Sequence, residues 1–236
     1  MTKPGEVIPQ LPMSCLAAFV AKAGRSPESI LRPYKFREVG EGHARIICHP
    51  PATVLIRKFY KLGKDFKILD SATAEWRRKA NSTENKSVHA RLLSNIAAID
   101  AFRVHFAGRD FEVLPVHRIS CQIGQLVFAA SPDLWVRENG EERLIKIGFG
   151  TKKRSYVDTL LIVMRRAATL HQHIILPQNA VYLHVQTGQE LVSRFSYEGM
   201  VLTLTAAARE IVETWPKVTQ KPSVLRPRSR AASAGR

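Results

Sequence analysis

Apolar residues spaced three and four positions apart predict six helices in this chain. The clearest covers 87–107, where Val88, Leu92, Ile96 and Phe102 lie on one stripe and Gly108 follows at the usual C-terminal position. The others are expected at 13–23, 52–62, 65–80, 156–171 and 200–215. Pro27 and Pro33 predict an irregular segment after the first helix.

Short runs rich in β-branched and aromatic residues are typical of strands. They cover 44–48, 111–116, 119–130, 134–136, 144–149, 180–185 and 191–195. Asn139-Gly140 lies between two of these runs and is the strongest short signal for a β-hairpin. The pattern predicts an α/β (α+β) protein with four parts: a flexible arm at 1–12, a mostly helical region at 13–86, an α/β core at 87–215 and a disordered basic tail at 216–236.

The net charge of +16, from 36 basic and 20 acidic residues, indicates a polyanionic partner. The tail from Lys217 carries six of the basic residues and no acid, so the rest of the chain is itself strongly basic. Nucleic acid, most simply DNA, is the leading expected partner, and an anionic membrane surface is the second. The residues expected to contact phosphate are Arg77, Arg78, Lys79, Lys152, Lys153 and Arg154.

Cysteine and histidine placement argues against a disulfide framework and against structural zinc. The three cysteines are far apart and form no Cys-x-x-Cys pair, and the eight histidines show no metal spacing. The Gly-rich run at 148–154 lacks the spacing of a nucleotide-binding phosphate loop. No apolar run is long enough for a membrane span and no signal peptide is evident, so a cytoplasmic protein without a membrane partner is expected.

A short motif lies inside the predicted core. Pro132-Asp133 precedes one strand, the Asn139-Gly140 turn follows, and the next strand reads Arg143-Leu-Ile-Lys-Ile147. This motif, with the helix-strand-strand-strand-helix-strand order of 87–185, resembles the core of the PD-(D/E)XK, or restriction-endonuclease-like, nuclease superfamily. The resemblance implies an αβββαβ core with an N-terminal helical extension. It also implies that Asp133 binds Mg²⁺ and that Asp133 and Lys146 are catalytic.

The chain departs from the family pattern at the second acidic position, which falls on Leu144. Leucine offers no oxygen to Mg²⁺, which takes hard oxygen ligands. Glu142 shares the strand face with Lys146, but four residues separate them, which is roughly 13 Å. Either another acid has taken the role, with Glu84, Asp100 and Asp158 as candidates, or the site is inactive.

Two hypotheses follow from the resemblance. The first is a DNA-binding protein that acts as a Mg²⁺-dependent DNA endonuclease with an altered site. The second is a catalytically inactive nucleic-acid-binding or assembly module of the same fold. A third, a peripheral membrane protein, would use the basic amphipathic helix at 52–62. Lys146 also has a purely structural interpretation, as a lysine that protects an edge strand from aggregation.

Overall fold

The computed structural model describes residues 8–22, 24–36, 50–115, 119–150 and 152–219. The helices in these residues are α1 (Met13–Ala21), α2 (Pro27–Lys35), α3 (Pro50–Lys61), α4 (Phe66–Ser82), α5 (Lys86–His105), α6 (Arg154–Leu170) and α7 (Tyr197–Thr214). The strands are β1 (Leu11–Pro12), β2 (Glu112–Val113), β3 (Ile119–Ile123), β4 (Leu126–Ala130), β5 (Leu134–Glu138), β6 (Glu141–Gly148), β7 (Ala180–His184) and β8 (Gln189–Val192). The expected mixed α/β class is confirmed.

A five-stranded sheet in the order β2-β5-β6-β7-β8 forms the centre of the molecule. β5 and β6 are antiparallel neighbours joined at Asn139-Gly140, as expected, whereas β6 and β7 are parallel and joined through α6. β6 is therefore a central strand, so Lys146 does not protect a sheet edge. A smaller sheet, in the order β1-β4-β3, lies apart from this one.

Side chains alternate across the large sheet and enter two separate cores. Leu134, Ile145 and Val181 face the first core, which α3, α4 and α5 complete. Trp135, Leu144 and Tyr182 face the second, which contains residues of α1, α2, α6, α7 and the small sheet. The large sheet is therefore covered on both faces by helices.

Local capping explains why several helices begin where the sequence predicts. The Asp65 carboxylate accepts the Lys67 N–H at 3.0 Å, and the Asn85 side chain accepts two N–H groups in the first turn of α5. Pro50 and Pro51 open α3, where the missing proline N–H groups have no helical acceptor to lose.

The expectation that Pro27 and Pro33 keep the chain irregular is wrong, because 27–35 forms α2. Pro27 occupies the first turn, and Ser26 caps the helix by accepting the Ser29 N–H at 3.2 Å. Pro33 has no N–H for the Ser29 carbonyl, which instead lies 3.5 Å from the Arg25 guanidinium. The helix therefore tolerates an internal proline in its last turn.

The predicted strand at 119–130 is a hairpin, β3–β4, turning at Gly124, and it belongs to the small sheet and not to the large one. The far end of the predicted arm, Leu11–Pro12, forms β1 and pairs with Phe128 and Ala129 of β4. The predicted strand at 44–48 and residues 220–236 of the predicted tail lie outside the described residues.

Candidate functional site

Asp133 and Lys146 meet on one face of the large sheet, where β5 begins and β6 approaches its end. Leu134 pairs with Ile145, so the next opposed positions are Asp133 and Lys146, and opposed residues of an antiparallel pair share a face. Lys146 Nζ lies 3.0 Å from Asp133 Oδ1, and the Ile147 N–H donates to Asp133 Oδ2 at 2.9 Å. The predicted pairing of these two side chains is therefore present.

Arg57 brings a second cation to Asp133 from α3. Its Nη2 donates to the Pro132 carbonyl at 3.1 Å, its Nε donates to the Asp133 carbonyl, and Nη2 lies 3.6 Å from Asp133 Oδ1. Two cations thus surround one carboxylate that is only 9% exposed. The group retains one uncompensated positive charge, which favours an anionic ligand.

Leu144 is fully buried and packs in the second core. It is paired across the strands with Trp135 on β5 and Ala180 on β7. The position that carries the second acid in the nuclease pattern therefore holds a packed apolar side chain.

The acids weighed for the role of the missing second carboxylate either have other partners or lie in the break between α4 and α5. Glu142 accepts the Trp135 indole N–H at 3.2 Å, and Asp100 lies 3.7 Å from Arg77. Asp158 is fully buried between Arg154 and Arg194. Glu84 is an exposed residue in the break between α4 and α5.

A magnesium site of the nuclease type needs two carboxylates with free oxygens. Both oxygens of Asp133 already accept hydrogen bonds. Within the described ranges, no group of three or more histidine, cysteine, aspartate or glutamate side chains has the geometry to hold a metal ion. These residues do not fit Mg²⁺.

Two tyrosines adjoin the Asp133–Lys146 pair. Tyr182 is the cross-strand neighbour of Lys146 on β7, and a Cβ at Gly148 would overlap its hydroxyl and ring. Burial, reinforced by the Asp133 carboxylate, raises the pKa of Tyr182 to about 12. The pKa of Tyr156 on α6 is also raised, chiefly by burial and further by Tyr34, Tyr182 and Asp133. Both phenols therefore stay protonated at neutral pH and can donate a hydrogen bond.

The predicted phosphate contacts at 152–154 divide into two kinds. Lys152 and Lys153 are exposed just before α6, and Lys152 Nζ lies 5.6 Å from the centre of the Tyr156 ring. Arg154 instead lies 3.2 Å from Asp158 and donates to the Val192 carbonyl. Lys152 thus lies near Tyr156, a tyrosine whose pKa the Asp133 carboxylate also influences, whereas Arg154 joins α6 to β8.

The second predicted basic group lies near the end of α4. Arg77 lies near Asp100, and Lys79 pairs with Glu75 at 2.5 Å on the same helix. Arg78 is exposed, and its charge contributes to lowering the pKa of Glu75. Nothing in the described contacts joins this group to Asp133 or Lys146.

The apolar face of α3 is used inside the protein. Ala52, Ile56 and Phe59 are at most 1% exposed and pack in the first core. Tyr60 packs beside them and donates its hydroxyl to the Phe106 carbonyl. The face that the membrane hypothesis would insert into lipid is therefore covered. None of the helices described here has the length and apolar character to cross a bilayer.

Sequence reasoning identified Asp133 and Lys146 but missed Arg57, Tyr156 and Tyr182 as their neighbours. Arg57 appears in the sequence only as one of several basic residues on an amphipathic helix. Tyr182 can be assigned to the site only once the register of β6 against β7 is known, because the two strands are separated by α6.

No protein-family model matches this chain, and no curated protein matches it. The resemblance to the nuclease superfamily therefore depends only on the motif and on the order of the elements.

Proposed function

We propose that this protein binds nucleic acid through its phosphate backbone, using a phosphate pocket formed by Asp133, Lys146, Arg57 and Lys152. The observation that carries the proposal is the convergence of Lys146 and Arg57 on the single carboxylate of Asp133. The Lys146 and Arg57 side chains, which are 25% and 36% exposed, share one counterion, and this leaves a net positive charge that a ligand can reach. This is the arrangement that an anionic phosphate oxygen requires.

The order of the elements supports a nuclease-like origin for the pocket. α5 is followed by β2, β5 and β6, then by α6 and the parallel strand β7. These strands are neighbours in the sequence β2-β5-β6-β7, so the αβββαβ order also describes adjacent strands in one sheet. The β3–β4 hairpin is an insertion between the first two strands of this unit.

Lys152 and Lys153 add positive charge to that of Lys146 and Arg57. They precede α6, whose first turn has no side-chain cap and whose N–H groups favour negative charge. A phosphate backbone that reaches Lys146 would therefore meet further cations along the same edge of the sheet. This supports an extended polyanion as the ligand in preference to a small anion.

A salt series of binding measurements tests the proposal. Fluorescence anisotropy with a short DNA duplex and a single strand should detect binding by the whole protein. Lys146→Ala should weaken binding and lower the slope of log affinity against log salt by about one, because one phosphate contact is lost. Arg209→Ala removes an equal charge from the exposed face of α7 and serves as the matched control. Absence of binding, or equal losses in the two variants, would refute the proposal.

Cleavage is a second candidate function, favoured by the 3.0 Å contact between Asp133 and Lys146 in a nuclease-like strand order. Incubation of the DNA with protein and either Mg²⁺ or Mn²⁺ tests it. Cutting that disappears in Asp133→Asn and in Lys146→Ala would establish a nuclease. Binding without cutting would establish the binding module.

A further inference from the structure

The Tyr182 side chain is buried to all but 3%, yet no hydrogen bond joins its hydroxyl to another described residue. Polar groups this deeply placed are normally paired. In the described part of the chain, the side-chain nitrogen and oxygen atoms that solvent does not reach and that make no hydrogen bond are the Nε atoms of Arg103, Arg143 and Arg154. The Tyr182 oxygen is not one of them. The hydroxyl therefore keeps a small surface at which a ligand atom can reach it.

The position of this hydroxyl is fixed by its neighbours. Lys146 and Gly148 are on the same strand face, two residues apart, and Tyr182 lies on the adjacent strand opposite Lys146. The ring fills the space that a Cβ at position 148 would occupy. Glycine at 148 thus allows the Tyr182 hydroxyl to lie over β6, on the side that carries Lys146 and Asp133.

We propose that the Tyr182 hydroxyl is a neutral donor that binds a phosphodiester oxygen in the phosphate pocket, beside the charged donor Lys146. This inference rests on the proposed function. The two groups would recognise one phosphate differently. Lys146 supplies the charge that releases counterions, whereas Tyr182 supplies a directional hydrogen bond and no charge.

That difference gives each residue a distinct signature in a salt series. Tyr182→Phe should weaken DNA binding about tenfold, the lower end for a hydrogen bond to a charged group, and leave the salt slope unchanged. Lys146→Ala should weaken binding and also reduce the slope by about one. Tyr182→Phe removes only an unpaired oxygen, so its thermal unfolding midpoint should match that of the natural protein at neutral pH. Tyr197→Phe, at the start of α7, is the matched control.

An NMR titration on protein with ¹³C at the phenol carbon of tyrosine provides a readout independent of affinity. The signal missing from Tyr182→Phe identifies Tyr182, and it should move when DNA is added, and in Lys146→Ala it should move only at higher DNA concentrations. Inorganic phosphate is the comparison ligand, and it should move the signal only at much higher concentration than DNA.

The outcomes separate the two proposals. Normal DNA binding by Tyr182→Phe, with a Tyr182 signal that does not respond, would overturn the role of Tyr182 and leave the proposed function intact. If Tyr182→Phe lowered the salt slope as much as Lys146→Ala does, the role of Tyr182 as a neutral donor would be overturned. Equal potency of inorganic phosphate would overturn the assignment to nucleic acid, and failure of the natural protein to bind DNA would overturn both proposals.

Discussion

Leu144 separates the two interpretations of Asp133 and Lys146. In a nuclease of the resembled pattern this position supplies an acid, but here the side chain packs fully buried between Trp135 and Ala180. Leu144 precedes Lys146 by two residues on the same face of β6, and it packs in the second core. Such a position tolerates neither a charge nor a cavity easily.

We expect Leu144→Ala to lower the free energy of unfolding by about 3 kcal/mol, because it leaves a cavity in the second core. Leu144→Asp should lower it further, since the new carboxylate would be buried while Lys146 is already bound to Asp133. Urea unfolding measures both. Leu144→Asn is the uncharged control, and a rise in melting temperature with Mg²⁺ in Leu144→Asp alone would contradict this interpretation.

The raised pKa of Tyr182 predicts that the protein loses stability at alkaline pH. Its pKa is raised to about 12, first by burial and then by the Asp133 carboxylate, against an ordinary value of 10.0. An acid that is harder to ionise in the folded state adds stability below its ordinary pKa, and this contribution disappears as the pH rises towards its folded-state pKa.

We therefore expect the difference in unfolding free energy between the natural protein and Tyr182→Phe to be constant up to about pH 9 and then to change by about 2 kcal/mol by pH 12, with the natural protein losing more. Urea unfolding at a series of pH values measures this difference. Parallel curves for the two proteins across this range would contradict the assignment.

Among the secondary-structure elements, the β5–β6 hairpin sets the register that brings Asp133 opposite Lys146. Its turn residues, Asn139 and Gly140, have φ values of 52° and 83°. This is the left-handed region that the Asn-Gly pair adopts readily in two-residue hairpin turns. The turn is about as far from Asp133 as the length of β5, yet it determines which residues face each other at the site.

Gly140→Ala should lower the free energy of unfolding by about 1 kcal/mol, because a Cβ is strained at this φ. Asn139→Gly should have little effect, since glycine also adopts the required conformation. Thermal unfolding of the two variants provides the comparison. Equal stability of Gly140→Ala and the natural protein would show that the turn does not hold the register.

The elements that the sequence predicted well are those with local causes. α4 and α5 follow capping side chains and apolar stripes, and the β5–β6 hairpin follows its own turn residues. The sequence does not predict α2, because Pro27 and Pro33 both indicate an irregular segment. Pro27 nevertheless fits the first turn of a helix, and Pro33 lies only two residues before the last helical residue. The separation of the β3–β4 hairpin into its own sheet depends on pairing with distant Leu11–Pro12, which no local pattern encodes.

Some residues of the candidate site could likewise be predicted from the local sequence, whereas others could not. The pairing of Asp133 with Lys146 follows from one hairpin and could be predicted from strand alternation. Arg57 and Tyr182 come to the pair from elements distant in the chain. Their positions beside the pair could be assigned only from the packing of α3 and the parallel register of β7.

At the scale of the whole molecule, the two ends of the β5–β6 hairpin differ in net charge. At the turn end, Arg109 and Arg143 are paired with Glu138 and Glu190, so two cations and two anions balance. Burial alone would raise the pKa of Glu138, but its hydrogen bonds and charge interactions with both arginines hold that pKa below its usual value. About 17 Å away along β5, Lys146 and Arg57 exceed the single charge of Asp133. The excess positive charge is therefore at the Asp133 end.

Residues 220–236 contribute five further basic residues and no acid, so the net charge alone does not separate their effect from that of the phosphate pocket. A protein shortened after Thr219 makes the separation. Because counterion release is additive over independent contacts, this protein should bind DNA more weakly and with a lower salt slope than the full chain. Lys146→Ala should weaken binding by the same factor in the shortened and full-length proteins, since the pocket contacts remain. If the shortened protein loses all measurable binding, the basic segment alone binds the polyanion and the Asp133–Lys146 pair serves another purpose.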